Sequence, residues 1–158
     1  MTITYVNDLR LSEMGTGDNS GTWGTVTNTN LELIGDALGY ATKAVASAST
    51  DTLTMPDGTA TNGEPRAMYL KLTGGDQDCT VTLAPNTINK VWIIENATSY
   101  TLTFSQGSGA NVAVASGAVK LLATDGAGSG AAVLDVFGSK LEGYASTGKA
   151  IAMAMVFG

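Results

Sequence analysis

The stretch that decides the fold is Lys90–Phe137, KVWIIENATSYTLTFSQGSGANVAVASGAVKLLATDGAGSGAAVLDVF. Apolar or alternating runs (VWIIENA, YTLTF, NVAVA, AVKLLAT, AAVLDVF) are cut at short intervals by Gly, Ser, Asn and Asp. Runs of this length, rich in Val, Ile, Leu, Thr and aromatics, are β-strand material. The cuts supply residues that reach positive φ cheaply and turn the chain. Strands so close in sequence pair most simply as an antiparallel meander.

Outward from this block, the same pattern recurs. Asp51–Met55 reads as a strand stopped by Pro56-Asp57-Gly58. Ala67–Leu72 and Cys79–Leu83 both alternate, and TGGDQD between them makes a hairpin the natural expectation. At the end of the sequence Ile151, Met153, Met155 and Phe157 alternate with small residues, which predicts a final strand with one heavily apolar face. Such a strand must be covered, either in its own sheet or in a neighbouring chain's.

One helix is expected near the N-terminus. Thr29-Asn30-Leu31-Glu32 fits a capping box with Thr29 as N-cap. Leu31, Ile34, Leu38, Ala41 and Val45 then form a helical stripe, and Leu33, Ala37, Tyr40 and Ala44 form a second beside it. Two apolar stripes ask for two covered surfaces, and two readings stand side by side: a helix that lies on its own sheet, or one that also meets copies of itself in an oligomer. Before the helix, residues 12–30 read as a Gly-, Thr- and Asn-rich loop around Trp23. A lone large aromatic in such a loop serves as a buried anchor or as a sugar-stacking platform. The anchor is the reading preferred for Trp23.

The fold class that follows is mainly β, an antiparallel β-sandwich or small barrel with one N-terminal α-helix. Residues 1–46 form the arm, Trp loop and helix, and residues 47–158 form the β domain. Residues 106–114 and 126–134 echo each other weakly as turn-plus-strand units.

Composition narrows the function. Charged residues make up 14% of the 158, against roughly 25% in soluble domains, so the surface is built largely from Thr, Ser, Asn, Gly and Ala. Net charge is −6 and the eight Lys and Arg are scattered, which argues against nucleic acid. There is no His, the commonest general base and metal ligand. Cys79, the single cysteine, has no disulfide partner and no His to activate it, and reads as a buried strand residue. Asp76, Asp78 and Asp18 lack the spacing of a calcium loop and read as turn residues. Asp125 reads as turn chemistry, whereas Asp135 sits in an apolar run and either caps, pairs with Lys120 or meets another subunit. No phosphate loop stands in a strand–helix frame. No run approaches the ~20 apolar residues of a membrane span, and no signal peptide is recognisable. The expectation is a protein that acts by binding, with no enzyme activity, no cofactor and no metal.

Three stretches resemble tailed-phage virion proteins of the tail-fibre-like and head-fibre-like group, of the kind frequent in marine phages. The most specific is LRLSEMGTGDNSGTWGTVTNTNLELI (9–34), with its LRL start, TG segment, GTWG around Trp23 and Asn-rich entry to a helix. IENATSYTLTFSQGSGANVAVASGAVKLLATDG (94–126) is similar to the small β units of phage fibres, and STGKAIAMAMVFG (146–158) to a common ending of such proteins. The resemblance implies a virion structural protein and no catalytic residues. Members are often long, and this chain has no long shaft. The implied part is therefore a small surface piece, a capsid decoration or head-fibre subunit, with a tail fibre as the alternative. The expected partners are copies of itself (a trimer favoured), capsid or tail proteins, and, on the alternative, host surface glycan bound through Trp92, Tyr69 or Tyr100. Because VWII is apolar on both faces, Trp92 is expected in the core. The expected contacts between chains are Trp23, Leu31, Ile34 and Leu38 on the helical side and Ile151, Met153, Met155 and Phe157 in the last strand.

Overall fold

The alternating runs do form strands, and they wind between two sheets instead of folding back on their neighbours. The structure, a computed structural model, describes residues 3–58 and 64–138. After helix α1 (Trp23–Ala37) come β1 (Tyr40–Val45), β2 (Thr50–Thr54), β3 (Tyr69–Gly74), β4 (Cys79–Ala84), β5 (Val91–Asn96), β6 (Leu102–Ser105), β7 (Val112–Val114), β8 (Val119–Thr124) and β9 (Val133–Asp135). The protein is mainly β with one α-helix among the described residues. A five-stranded sheet runs β1-β3-β5-β8-β9 and a four-stranded sheet runs β2-β4-β6-β7.

The first six strands alternate between the sheets. In the first, β1, β3 and β5 are parallel, with Tyr40 opposite Tyr69 and Tyr69 opposite Ile93. In the second, β2, β4 and β6 are parallel, with Thr50 opposite Thr80 and Thr80 opposite Thr103. Each coil of the chain thus adds one strand to both sheets. Parallel neighbours need a long crossover, and here the crossover is the strand of the opposite sheet. The winding then stops: β7 returns antiparallel on β6, β8 antiparallel on β5, and β9 antiparallel on β8.

This corrects three expectations. The sheets are mixed, not antiparallel, and they do not close into a barrel. In Lys90–Phe137 the pairings are antiparallel as expected, but β5 and β6 lie in different sheets, so there is no single meander. Ala67–Leu72 and Cys79–Leu83 form no hairpin, because β3 and β4 also lie in different sheets.

The inner faces of both sheets share one core. Leu70, Leu72, Ile94, Leu122 and Val133 come from the first sheet, and Leu53, Val81, Leu83, Phe104 and Val114 from the second. Cys79 is buried there as expected, and so is Trp92, whose Nε1 donates to Pro65 C=O at 2.9 Å. At the corner between β5 and β6, fully buried Asn96 donates from Nδ2 to the carbonyls of Tyr100 and Val114, both at 2.8 Å. The echoing segments lie side by side, with Gly109 N–H donating to Ala131 C=O at 3.1 Å and Val133 N–H to Ala110 C=O at 2.8 Å.

The helix is displaced from its expected span. It begins at Trp23 and stops at Ala37, so Thr29 lies inside it and the capping box does not form. Trp23 and the residues after it belong to the helix, not to a loop. Beyond Leu38 and Gly39, the stretch YATKAV is taken into β1 by a six-residue parallel ladder with β3. That ladder sets where the helix ends, and the start at Trp23 places Thr29 in the helix interior.

Candidate functional site

Four of the aspartates that sequence reading singles out are used structurally. Asp125 Oδ1 accepts from the N–H groups of Ala127 and Ala132, which hold its pKa below the ordinary carboxylate value. Asp135 pairs with Lys120 at 2.9 Å and also accepts from the N–H groups of Phe137 and Gly138, and the Lys120 bond leads in lowering its pKa. It both pairs and caps. Asp78 Oδ1 accepts from Thr101 N–H, and Asp18 Oδ2 from Gly15 N–H. Among the described residues no group of three or more His, Cys, Asp or Glu side chains is placed to hold a metal, and no helix is long and apolar enough to cross a membrane.

Two cations lie close together beside the core. Arg66 is fully buried, donating from Nη1 to Leu9 C=O and from Nη2 to Pro56 C=O at 2.8 Å. It fastens the N-terminal arm to the end of β2. Burial lowers its pKa, against the pull of Asp36 and Asp57. Lys90 Nζ sits 4.8 Å from the centre of the Trp92 ring and donates to Val91 C=O at 3.1 Å. Burial, with Arg66 nearby, brings Lys90 down to about 8. A groove of about 360 Å³ lies between the end of α1 and β1, lined by Gly35, Asp36, Gly39, Tyr40, Ala41, Glu64 and Ala67.

The features suited to binding are surfaces. On α1, Leu33 and Ala37 are buried, and Asn30 clasps the arm, accepting from Ser12 N–H and donating to Ser12 C=O, both at 2.9 Å. The other stripe faces out: Trp23 is 64% exposed, Leu31 61%, Ile34 38% and Leu38 68%. Trp23 is therefore not a buried anchor among the described residues. Ile151, Met153, Met155 and Phe157 lie outside the described residues.

The outer faces of the two sheets differ in kind. On the four-stranded sheet, Thr50, Thr80 and Thr103 form one cross-strand row, and Thr52, Thr82 and Ser105 the next. On the five-stranded sheet the corresponding row is Tyr40, Tyr69, Ile93 and Leu121, with Val91, Ala123 and Leu134 beside it. The rings of Tyr40 and Tyr69 stack with centroids 5.4 Å apart. Tyr69 Oη donates to Glu95 at 2.9 Å, and Glu95 pairs with Lys71 at 2.9 Å. The sequence signal for this contrast is the parity of the runs. TDTLT, TVTL and TLTF carry Thr at alternate positions, whereas VWII and VKLLA carry apolar residues at both parities. With Trp92 in the core, alternation puts Ile93 on the outward side.

No family model matches the chain, and no curated protein and no solved structure matches it either.

Proposed function

We propose that this chain is a structural subunit on the surface of a phage particle, of the capsid-decoration or head-fibre type, that acts by binding and not by catalysis. It works as a homo-oligomer, a trimer being favoured, attached to capsid or tail proteins. The observation that carries the reading is the apolar stripe Trp23, Leu31, Ile34 and Leu38, left exposed on α1. Trp23 and Leu31 fall in the stretch most specific to the resembled phage proteins, and an apolar stripe left this exposed marks an interaction surface. Asp18, Asp78, Asp125 and Asp135 are engaged in turns or an ion pair, which fits a part whose task is shape.

The alternative is a tail-fibre module that binds host carbohydrate. Its site would be the stacked Tyr40–Tyr69 pair, since Trp92 is buried. Immunogold labelling of particles of the encoding phage tests both readings. Label spread over the head supports decoration, label confined to the tail supports the alternative, and unlabelled particles refute both.

A further inference from the structure

The two sheets pose the same problem to the same chain and receive opposite answers. Where the four-stranded sheet turns outward, the strands present Thr and Ser, β-formers that water tolerates. Where the five-stranded sheet turns outward, the apolar rows of Tyr40, Tyr69, Ile93 and Leu121 and of Val91, Ala123 and Leu134 lie beside a mixed row of Thr42, Lys71, Glu95 and Val119, and several apolar members are left bare: Tyr40 is 61% exposed, Val91 44%, Val119 54% and Leu134 49%. The Thr face shows that the fold does not require apolar residues on an outer face.

We infer that the outer face of the five-stranded sheet is covered by a second copy of this chain. The inference rests on the oligomeric reading above and names the surface through which the copies meet. Two observations select a copy over an unrelated partner. The first is charge. The outward side chains of the strands include only Lys71 and Glu95 as charged groups, and these neutralise each other at 2.9 Å. The chain as a whole carries −6. Two such chains repel over most of their surfaces, and this neutral face lets them meet without setting like charges together. It also lacks the free charges through which an interface selects a different partner.

The second is area. Eight outward apolar residues, Tyr40, Tyr69, Val91, Ile93, Val119, Leu121, Ala123 and Leu134, each covering about 4.8 by 6.7 Å, make an apolar footprint of roughly 260 Å² before side-chain relief is counted. With that relief it reaches the range of the largest patch a monomer ordinarily exposes, roughly 300–600 Å². The helix stripe adjoins it in the chain, with Leu38 next but one to Tyr40, and extends the apolar surface toward the ~800 Å² per partner of a stable interface.

The test is light scattering across a concentration series, with circular dichroism to confirm folding. The native chain should have the mass of an oligomer. Ile93→Thr combined with Leu121→Thr gives this face the side chains of the opposite one, and should raise the dissociation constant at least tenfold. Val91→Lys, at an exposed position that folding tolerates, should do the same if the double variant proves unstable. Thr82→Lys, on the opposite face, should leave the mass unchanged. A native chain that stays monomeric at high concentration overturns the inference, and so does an oligomer indifferent to the face variants. If Leu31→Ser breaks the oligomer and the face variants do not, the interface lies on the helix and this inference fails while the oligomeric reading stands. Unlabelled particles together with an intact oligomer would sink the virion reading and leave the interface in place.

Discussion

Replacing Asn96 by Asp tests whether the corner between the sheets holds the coils together. Asn96 is fully buried, and both ends of its amide are engaged. Nδ2 donates to Tyr100 C=O and Val114 C=O, each at 2.8 Å, and Oδ1 accepts from Thr98 N–H at 3.0 Å and Thr98 Oγ1 at 2.7 Å. Aspartate has the same shape and keeps the acceptor side. Its second oxygen, however, faces two carbonyl oxygens where the amide had two donors. The two lost bonds cost about 1 kcal/mol each, and an uncompensated buried charge costs about 3–5 kcal/mol. Ionising and relaxing are alternatives to some extent, so the expected loss near neutral pH is about 4 kcal/mol, a large part of a domain's stability of roughly 5–15 kcal/mol. Burial and the two carbonyl dipoles both raise the pKa of the new carboxyl above its unfolded value of about 3.9. Between those two pKa values the folded state binds more protons, so the variant's deficit shrinks as pH falls. Once protonated, the carboxyl can donate one of the lost bonds, leaving about 1 kcal/mol. Urea denaturation of both proteins, near neutral pH and near pH 4, reads this directly. A neutral-pH deficit below about 1 kcal/mol, or one that does not change with pH, would refute the role assigned to the corner.

Two further outcomes follow from particular residues. Lys90 titrates at about 8 in the fold against 10.5 when free, so between those values the unfolded chain binds more protons and stability rises with pH. Lys90→Met should flatten that rise and stabilise the protein near neutral pH by about 1 kcal/mol, a figure reduced for the solvent that reaches the half-buried amine. Chemical denaturation on both sides of pH 9 measures it, and an unchanged pH dependence would count against the assignment. Gly126 has φ +64°, and a Cβ there would sit 2.7 Å from Thr87 C=O. Gly126→Ala should therefore cost about 2–4 kcal/mol, and a thermal midpoint equal to the native one would contradict this.

Much of this protein was legible in the sequence by itself. Alternation located most of the strands and, in β4, fixed the buried set Cys79, Val81 and Leu83, because a strand's side chains point to opposite faces with a period of two. The turn residues marked where strands end, and Asp125 was readable as a turn residue from the glycine after it. Partner choice was not legible. Every strand offers the same backbone donors and acceptors, so a run such as YLKLTG states which side faces the core and not which strand lies beside it. Only the tertiary structure set β3 between β1 and β5, with β4 in the other sheet. The helix boundary moved for the same reason, when Tyr40–Val45 found a ladder on Tyr69–Gly74 that no local cap signal anticipates. The candidate surface divides likewise. Leu31, Ile34 and Leu38 were visible as one helical stripe, since residues three and four apart share a face, whereas Trp23, in a stretch that reads as a loop, joins that stripe only because the helix begins there. Tyr40, Tyr69, Ile93 and Leu121 come from four separated strands, and only their parallel and antiparallel registers bring them into a single row.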